Sequence, residues 1–207
     1  MKKELEVVLQ PLQIKEAVVK IKGDSPLIVN NFDEKSRKQM LDIQMKKAKA
    51  PRDAKNPVED FMRSLHWLTE MPTEFTEEAF EKALNDGAKF GFPAVGIKAS
   101  AISAAYRNKY SKDKVSIQGA FHITGEMIEI LGTPTMREDI VRVANGNPGI
   151  RYRAEFKEWE MEFTIRYNEN AYSLEQIINF INLGGFTCGV GEFRIEKGGI
   201  YGTYHVI

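Results

Sequence analysis

Basic side chains gather in three stretches of this chain, and clustered guanidinium and ammonium groups are the ones that meet phosphate oxygens. Residues 35–55 carry eight basic residues against two acidic ones, with Lys46, Lys47 and Lys49 among them. Arg137, Arg142, Arg151 and Arg153 form a second group. Arg194 and Lys197 belong to a third, inside a final 24 residues that hold seven of the 16 glycines. Lys98 and Arg107 add a pair on one expected helix. Lys98 falls in its first turn, where the helix dipole disfavours a cation and a bound anion would relieve that cost. A basic run serves a solvated face as well as a phosphate contact, and for 35–55 both readings stand.

The terminal glycines need a reason, because glycine gives up packing and costs backbone entropy. Lys197-Gly198-Gly199 reads as a hairpin connection between two β-rich runs. Gly189, Gly191 and Gly202 are left for a close approach of main chain to a ligand or a second chain. No Gly-Lys-Ser/Thr follows them, so they form no mononucleotide P-loop. For general acid–base work near neutral pH the only candidates are His66, His122 and His205, which stand in unrelated contexts. The single Cys188 excludes an internal disulfide and a cysteine-rich zinc site. No catalytic residue, metal or cofactor is expected. Tyr106, Phe121, Tyr201 and Tyr204 are the rings considered for base stacking, at about 1–3 kcal/mol each.

The totals bound the rest. The chain has 207 residues, 43% of them hydrophobic, and 29 basic against 29 acidic residues. That suits one domain, 1–207, and any basic site must be local. The N-terminus lacks the apolar run of a signal peptide, and no stretch is apolar for long enough to span a bilayer. The expectation is a soluble cytoplasmic protein with no membrane partner.

In order, 17–23 reads as a first strand stopped by Gly23, and Asp24-Ser25-Pro26-Leu27 turns into an extended run. Helix formers over 33–49, a second helix over 58–68 and an acidic amphipathic helix over 74–86 make a helical insertion at about 31–88. Pro93 starts a helix whose stripe of Ile97, Ala101, Ala104 and Ala105 is small enough for close packing. Two strands follow, 119–125 and 127–132, then a long polar loop over 133–149 that suggests function. The β segment 150–167 breaks parity at Lys157-Glu158, by a turn or by a bulge. Ser173-Leu-Glu-Gln176 is a capping box for a helix that Gly184 and Gly185 close. The resulting order suits an α+β, ferredoxin-like (RRM-like) antiparallel sheet ending in a glycine-rich hairpin, with helices on one face and the other face free.

Three segments in this order resemble the RAMP superfamily, the repeat-associated proteins of CRISPR effector backbones. Gly23-Asp24-Ser25-Pro26-Leu27 is similar to that family's Gly-x-x-Pro-Leu. Phe92-Pro93-Ala94-Val95-Gly96-Ile97-Lys98-Ala99 is similar to the start of its first core helix, departing from it at Ala94 and Val95. Gly189 through Gly202 is similar to its glycine-rich loop. The chain also resembles a group of tailed-phage proteins, with Met136-Arg137-Glu138-Asp139 and Arg151-Tyr152-Arg153 among the similar segments. The resemblance implies a fold that binds single-stranded nucleic acid and assembles side by side, with Lys98 near the phosphates and 189–202 at the binding face. Asp33 stands where cutting members of the family have an acidic residue, without a match around it.

The leading expectation is a non-enzymatic binder of single-stranded RNA or DNA that forms a homo-oligomer or filament. Its contacts are Lys46, Lys47, Lys49, Lys98, Arg107, Arg137, Arg142, Arg151, Arg153, Arg194 and Lys197, with Gly189, Gly191 and Gly202. One alternative is a phage interaction or anti-defence protein that binds a host complex or a small nucleotide. A metal-independent ribonuclease ranks below both.

Overall fold

The computed structural model describes residues 11–32, 34–47, 54–111, 113–142 and 148–207. In chain order these form β1 (Ile14–Gly23), β2 (Leu27–Val29), α1 (Glu34–Gln44), α2 (Pro57–Ser64), β3 (His66–Trp67), α3 (Glu77–Asn85), β4 (Phe90–Pro93), α4 (Ala94–Arg107) and α5 (Lys114–Ala120). There follow β5 (Phe121–Ile123), β6 (Met127–Leu131), β7 (Pro134–Arg142), β8 (Pro148–Phe156), β9 (Glu160–Asn168), α6 (Leu174–Thr187), a 3-10 turn (Ile195–Lys197) and β10 (Tyr204–Val206).

Alternation decides which face of the main sheet is buried. Val19 and Ile21 of β1 and Met161, Phe163, Ile165 and Tyr167 of β9 point into the core, while their neighbours face out. The sheet runs β10-β1-β9-β6-β4-β3, with β5 also paired to β9. Each of its first four strands is antiparallel to its neighbour. Taken with α4 after β1 and α6 after β9, they make the βαββαβ order of a ferredoxin-like core. The fold is therefore α+β with an antiparallel sheet, and α4 and α6 lie together on the buried face.

The two helices approach closely because small residues meet. A Cβ on Gly184 would lie 2.7 Å from the Ala101 amide nitrogen, and one on Gly185 would collide with the Tyr204 carbonyl. Gly184 and Gly185 thus lie inside α6 and are buried there; they do not close it. The expectation read them as a stop signal, but their use is helix packing. Ser173 does supply the capping box at the other end of α6.

A second, three-stranded sheet, β2-β8-β7, stands beside the first. The segment 133–149, expected as a loop, contains all of β7 and the start of β8. The apolar alternation that marks a strand is missing because the β7–β8 face bearing Arg137, Asp139, Arg153 and Glu155 is filled by ion pairs. The parity break at Lys157-Glu158 is a turn, and the chain changes sheets there: β8 pairs with β2 and β9 with β1. Trp159 fixes that crossing, donating from Nε1 to the Ser25 carbonyl at 2.9 Å. Its indole lies where a Cβ on Gly23 would be.

The stretch 31–88 contributes α1, α2, α3 and the short β3, which extends the sheet through β4. An aromatic cluster ties it down: Phe61 and Phe80 meet edge to face at 4.8 Å, Trp67 and Phe90 at 4.9 Å. Such pairs add about 0.5–1.5 kcal/mol beyond burial. The Ser64 hydroxyl donates to the Phe61 carbonyl and accepts from the Ala154 amide, joining α2 to β8.

Candidate functional site

The three segments that carried the family resemblance meet in space. Gly202 N donates to the Pro26 carbonyl, Val190 N to the Gly202 carbonyl and Glu192 N to the Ile28 carbonyl, each at 2.9 Å. The 189–202 loop is thereby laid against β2 and the turn before it. Gly191 (φ 77°) and Gly202 (φ 69°) are required here: a Cβ on Gly191 would lie 2.5 Å from the Ile28 oxygen, and one on Gly202 would collide with the Val190 oxygen. The close approach expected of these glycines is thus made to the protein's own main chain. The hairpin expected around Gly198-Gly199 is a single 3-10 turn, with a parallel bridge between Arg194 and Tyr201. Gly198 ends that turn in the left-handed conformation.

Between this loop and α4 lies a cleft of about 280 Å³. Gly189, Gly191, Glu192, Arg194 and Glu196 form one wall and Pro93, Gly96, Ser100 and Ser103 the other, with Asn30 and His66 at its border. Gly96, Ser100, Ser103 and Arg107 recur at helical spacing, so α4 aims one stripe at the loop. Ser100 is held from behind by the buried Tyr204 hydroxyl at 2.8 Å. Burial pushes the Tyr204 pKa up.

Three of the expected arginines touch this loop, and a fourth, Arg194, is part of it. Arg107 Nη2 donates to Glu196 Oε1 at 2.7 Å, and Arg194 Nε to Glu196 Oε2 at 3.2 Å. The Arg137 guanidinium lies 4.7 Å from the Tyr201 ring centre and donates to the Tyr201 hydroxyl, to Asp139 and to Glu155. Arg153 pairs with Asp139 and lies 5.2 Å from the Phe193 ring centre. Phe193 has φ 51°, a costly conformation for an aromatic residue, and the surrounding contacts hold it there. Charge at the loop is thus largely matched: Asp139, Glu155 and Glu196 answer the guanidiniums. Burial opposes ionisation of Glu196, but Arg194 and Arg107 outweigh it and hold the carboxyl below its usual range. Arg151 and Lys197 are exposed beside this network, on β8 and on the 3-10 turn.

Lys98 is placed elsewhere. It lies about half a turn round α4 from Gly96 and Ser100, with Nζ 3.2 Å from His122 Nδ1 and 5.7 Å from the centre of the Phe121 ring. Burial lowers the Lys98 pKa. Burial, Lys98 and Arg166 together lower that of His122. Lys46 and Lys47 follow α1, with Lys47 on Asp42 at 2.8 Å. Lys49 and Asp33 lie outside the described residues, as does the side chain of Arg142. Two of the rings considered for stacking are unavailable, since Phe121 and Tyr204 are buried in the core. His66, expected within a helix over 58–68, stands on β3 at the cleft, half-buried, with its pKa lowered by burial. His205 pairs with Asp24 at 2.7 Å. Asn30, Ser100 and Ser103 went unnoticed because polar residues without a charged or glycine pattern carry no local signal.

The open face of the main sheet has another character. Lys20 pairs with Glu162, Lys22 with Glu160 and Glu16 with Arg166 across β1 and β9, at 2.9–3.2 Å. Signs alternate there, so no positive stripe runs across it. Among the described residues no group of three or more His, Cys, Asp or Glu could hold a metal ion, and no helix is long and apolar enough to cross a membrane.

No protein-family description matches this chain, and no curated protein does. Among solved structures it is similar to Cmr6 from Pyrococcus furiosus, with a TM-score of 0.45 and 9% identity over 94% of this chain and 98% of that one.

Proposed function

We propose that the chain binds a single strand of nucleic acid, without cutting it, along the cleft between α4 and the 189–202 loop. The observation that carries this reading is convergence. Arg107, Arg137 and Arg153 come from three separate elements and all contact one glycine-rich loop that itself carries Arg194, and Arg194 lines the cleft together with Gly189 and Gly191. Arg151 and Lys197 would meet phosphates at the rim, and the partly exposed Tyr201 and Phe193 offer ring faces. The open sheet face, with its alternating ion pairs, is the poorer platform. The test is a mobility shift with labelled single-stranded RNA and DNA at low salt. A complex that dissociates as salt rises is expected; no shift with either probe overturns the reading.

A second reading, an assembly protein, is favoured by α1. Met40, Leu41 and Ile43 on it and Met45 just after are exposed beside Arg37 and Lys38. An open groove of about 770 Å³ along α3 offers mainly the opposite charge, with Glu70, Glu74, Glu78 and Asp86 outnumbering Lys82 and with Met71 and Ala83 as apolar lining. The occupant that fits is α1 of a second copy, a head-to-tail contact that repeats. Light scattering decides: growth without nucleic acid, abolished by Leu41→Asp, supports this reading, and a monomer at all concentrations removes it.

A further inference from the structure

We propose that Glu196 is a built-in stand-in for phosphate: its carboxylate occupies an anion seat made by Arg107 and Arg194, and an incoming phosphodiester takes the seat by displacing it. This inference rests on the strand-binding reading above and names the regulation of that same site.

The seat is already formed. Each carboxylate oxygen of Glu196 takes a different guanidinium, Oε1 that of Arg107 at 2.7 Å and Oε2 that of Arg194 at 3.2 Å. Two oxygens held by two guanidiniums is also the arrangement in which phosphate is bound. Arg194 has a second anchor, since its Nη1 donates to the Gly191 carbonyl at 3.2 Å, so it stays in place when the carboxylate leaves. The Arg107 side chain is 56% exposed and that of Glu196 only 19%, so the outer half of the seat can be reached while the inner half is sheltered. Arg194 and Glu196 both line the cleft, with Gly189 and Gly191 beside them.

Exchange is charge-neutral. Two guanidiniums and one carboxylate sum to one positive charge, and so do two guanidiniums and one phosphodiester. Only a side chain has to move, because the main chain of the turn is held by Glu196 N donating to the Cys188 carbonyl and Lys197 N to that of Arg194. The displaced carboxylate swings towards the exposed Lys197, which already acts on its charge. The consequence is selectivity: a strand must displace Glu196 before it gains the inner arginine, so weakly bound anions are kept out.

The experiment uses the full chain and a 5′-labelled single-stranded oligouridine, read by fluorescence anisotropy. Glu196→Gln removes the competing charge and is expected to tighten binding about tenfold, the worth of one charge-assisted hydrogen bond. The gain should vanish in Glu196→Gln/Arg107→Ala. A second readout needs no variant: the Glu196 side-chain carboxyl, followed by carbon-13 NMR in the wild type, should titrate below the usual range alone and return to it when the oligonucleotide is present. Wild-type binding with no gain in Glu196→Gln, or with an unmoved carboxyl titration, overturns the inference and leaves the strand-binding reading intact. Absence of binding by wild type and variant alike removes both.

Discussion

Gly198 and Gly202 both have positive φ, 81° and 69°, yet their surroundings separate them. Nothing lies within 4 Å of a Cβ on Gly198, whereas one on Gly202 would strike the Val190 carbonyl oxygen. Gly198→Ala should therefore cost about 1–2 kcal/mol, the left-handed penalty alone. Gly202→Ala should cost about 3 kcal/mol or more, because backbone must also move. Denaturant midpoints of the two variants check the contrast, and equal losses would contradict it. His66 gives a prediction in pH. Burial lowers its pKa from the ordinary 6.5, so the folded state favours the neutral ring. The stability this contributes is complete above 6.5 and is lost as pH falls from there through the folded value. Stability curves of wild type and His66→Gln should diverge at neutral pH and converge on the acid side. Neither point was legible from the residues alone: in the sequence His66 was one ring beside a tryptophan, and Gly198 and Gly202 looked alike.

At the scale of elements, the joint between α2 and β8 depends on one hydroxyl. Ser64 is buried, and its oxygen is the acceptor for the Ala154 amide at 2.8 Å. Ser64→Ala leaves that amide without its partner and should cost about 1–3 kcal/mol, the desolvation penalty of a lost acceptor. Thermal unfolding checks this, with Ser111→Ala, whose hydroxyl bonds only locally to Asp113, as the control expected to cost less. The elements themselves were unevenly readable. β1 and β9 carry period-two alternation, and α6 carries both a capping box and an apolar stripe, so local pattern sufficed for them. β7 was hidden because one of its faces meets charged partners, and an ion-paired strand looks like a polar loop. β4 was hidden because it is only Phe90–Pro93 and ends on a proline, a residue that argues against a strand interior.

For the whole molecule, the balanced charge of 29 against 29 limits how strongly salt can act. Most guanidiniums near the cleft already have carboxylate partners, so few counterions would be released. A strand meeting about three free cations should give a slope near −2 in log affinity against log salt. Arg151→Ala and Lys197→Ala should each weaken binding, while Lys20→Ala and Lys22→Ala on the opposite sheet face should leave it unchanged. Affinity titrations at several salt concentrations check both statements. Losses confined to Lys20 and Lys22 would move the binding surface to the open sheet.

The ferredoxin-like core, with its strands β1 and β9 and its helices α4 and α6, and the importance of the terminal glycines were determined by the sequence itself, because alternation, capping and turn chemistry act between near neighbours. The tertiary structure alone decided that the glycines approach the protein's own β2, that Lys98 faces away from the cleft, and that Glu196 sits between two arginines. Those facts depend on groups as far apart in the chain as Pro26 and Gly202. Only the closing of the sheet brings such groups within the few ångströms over which hydrogen bonds and steric contact act.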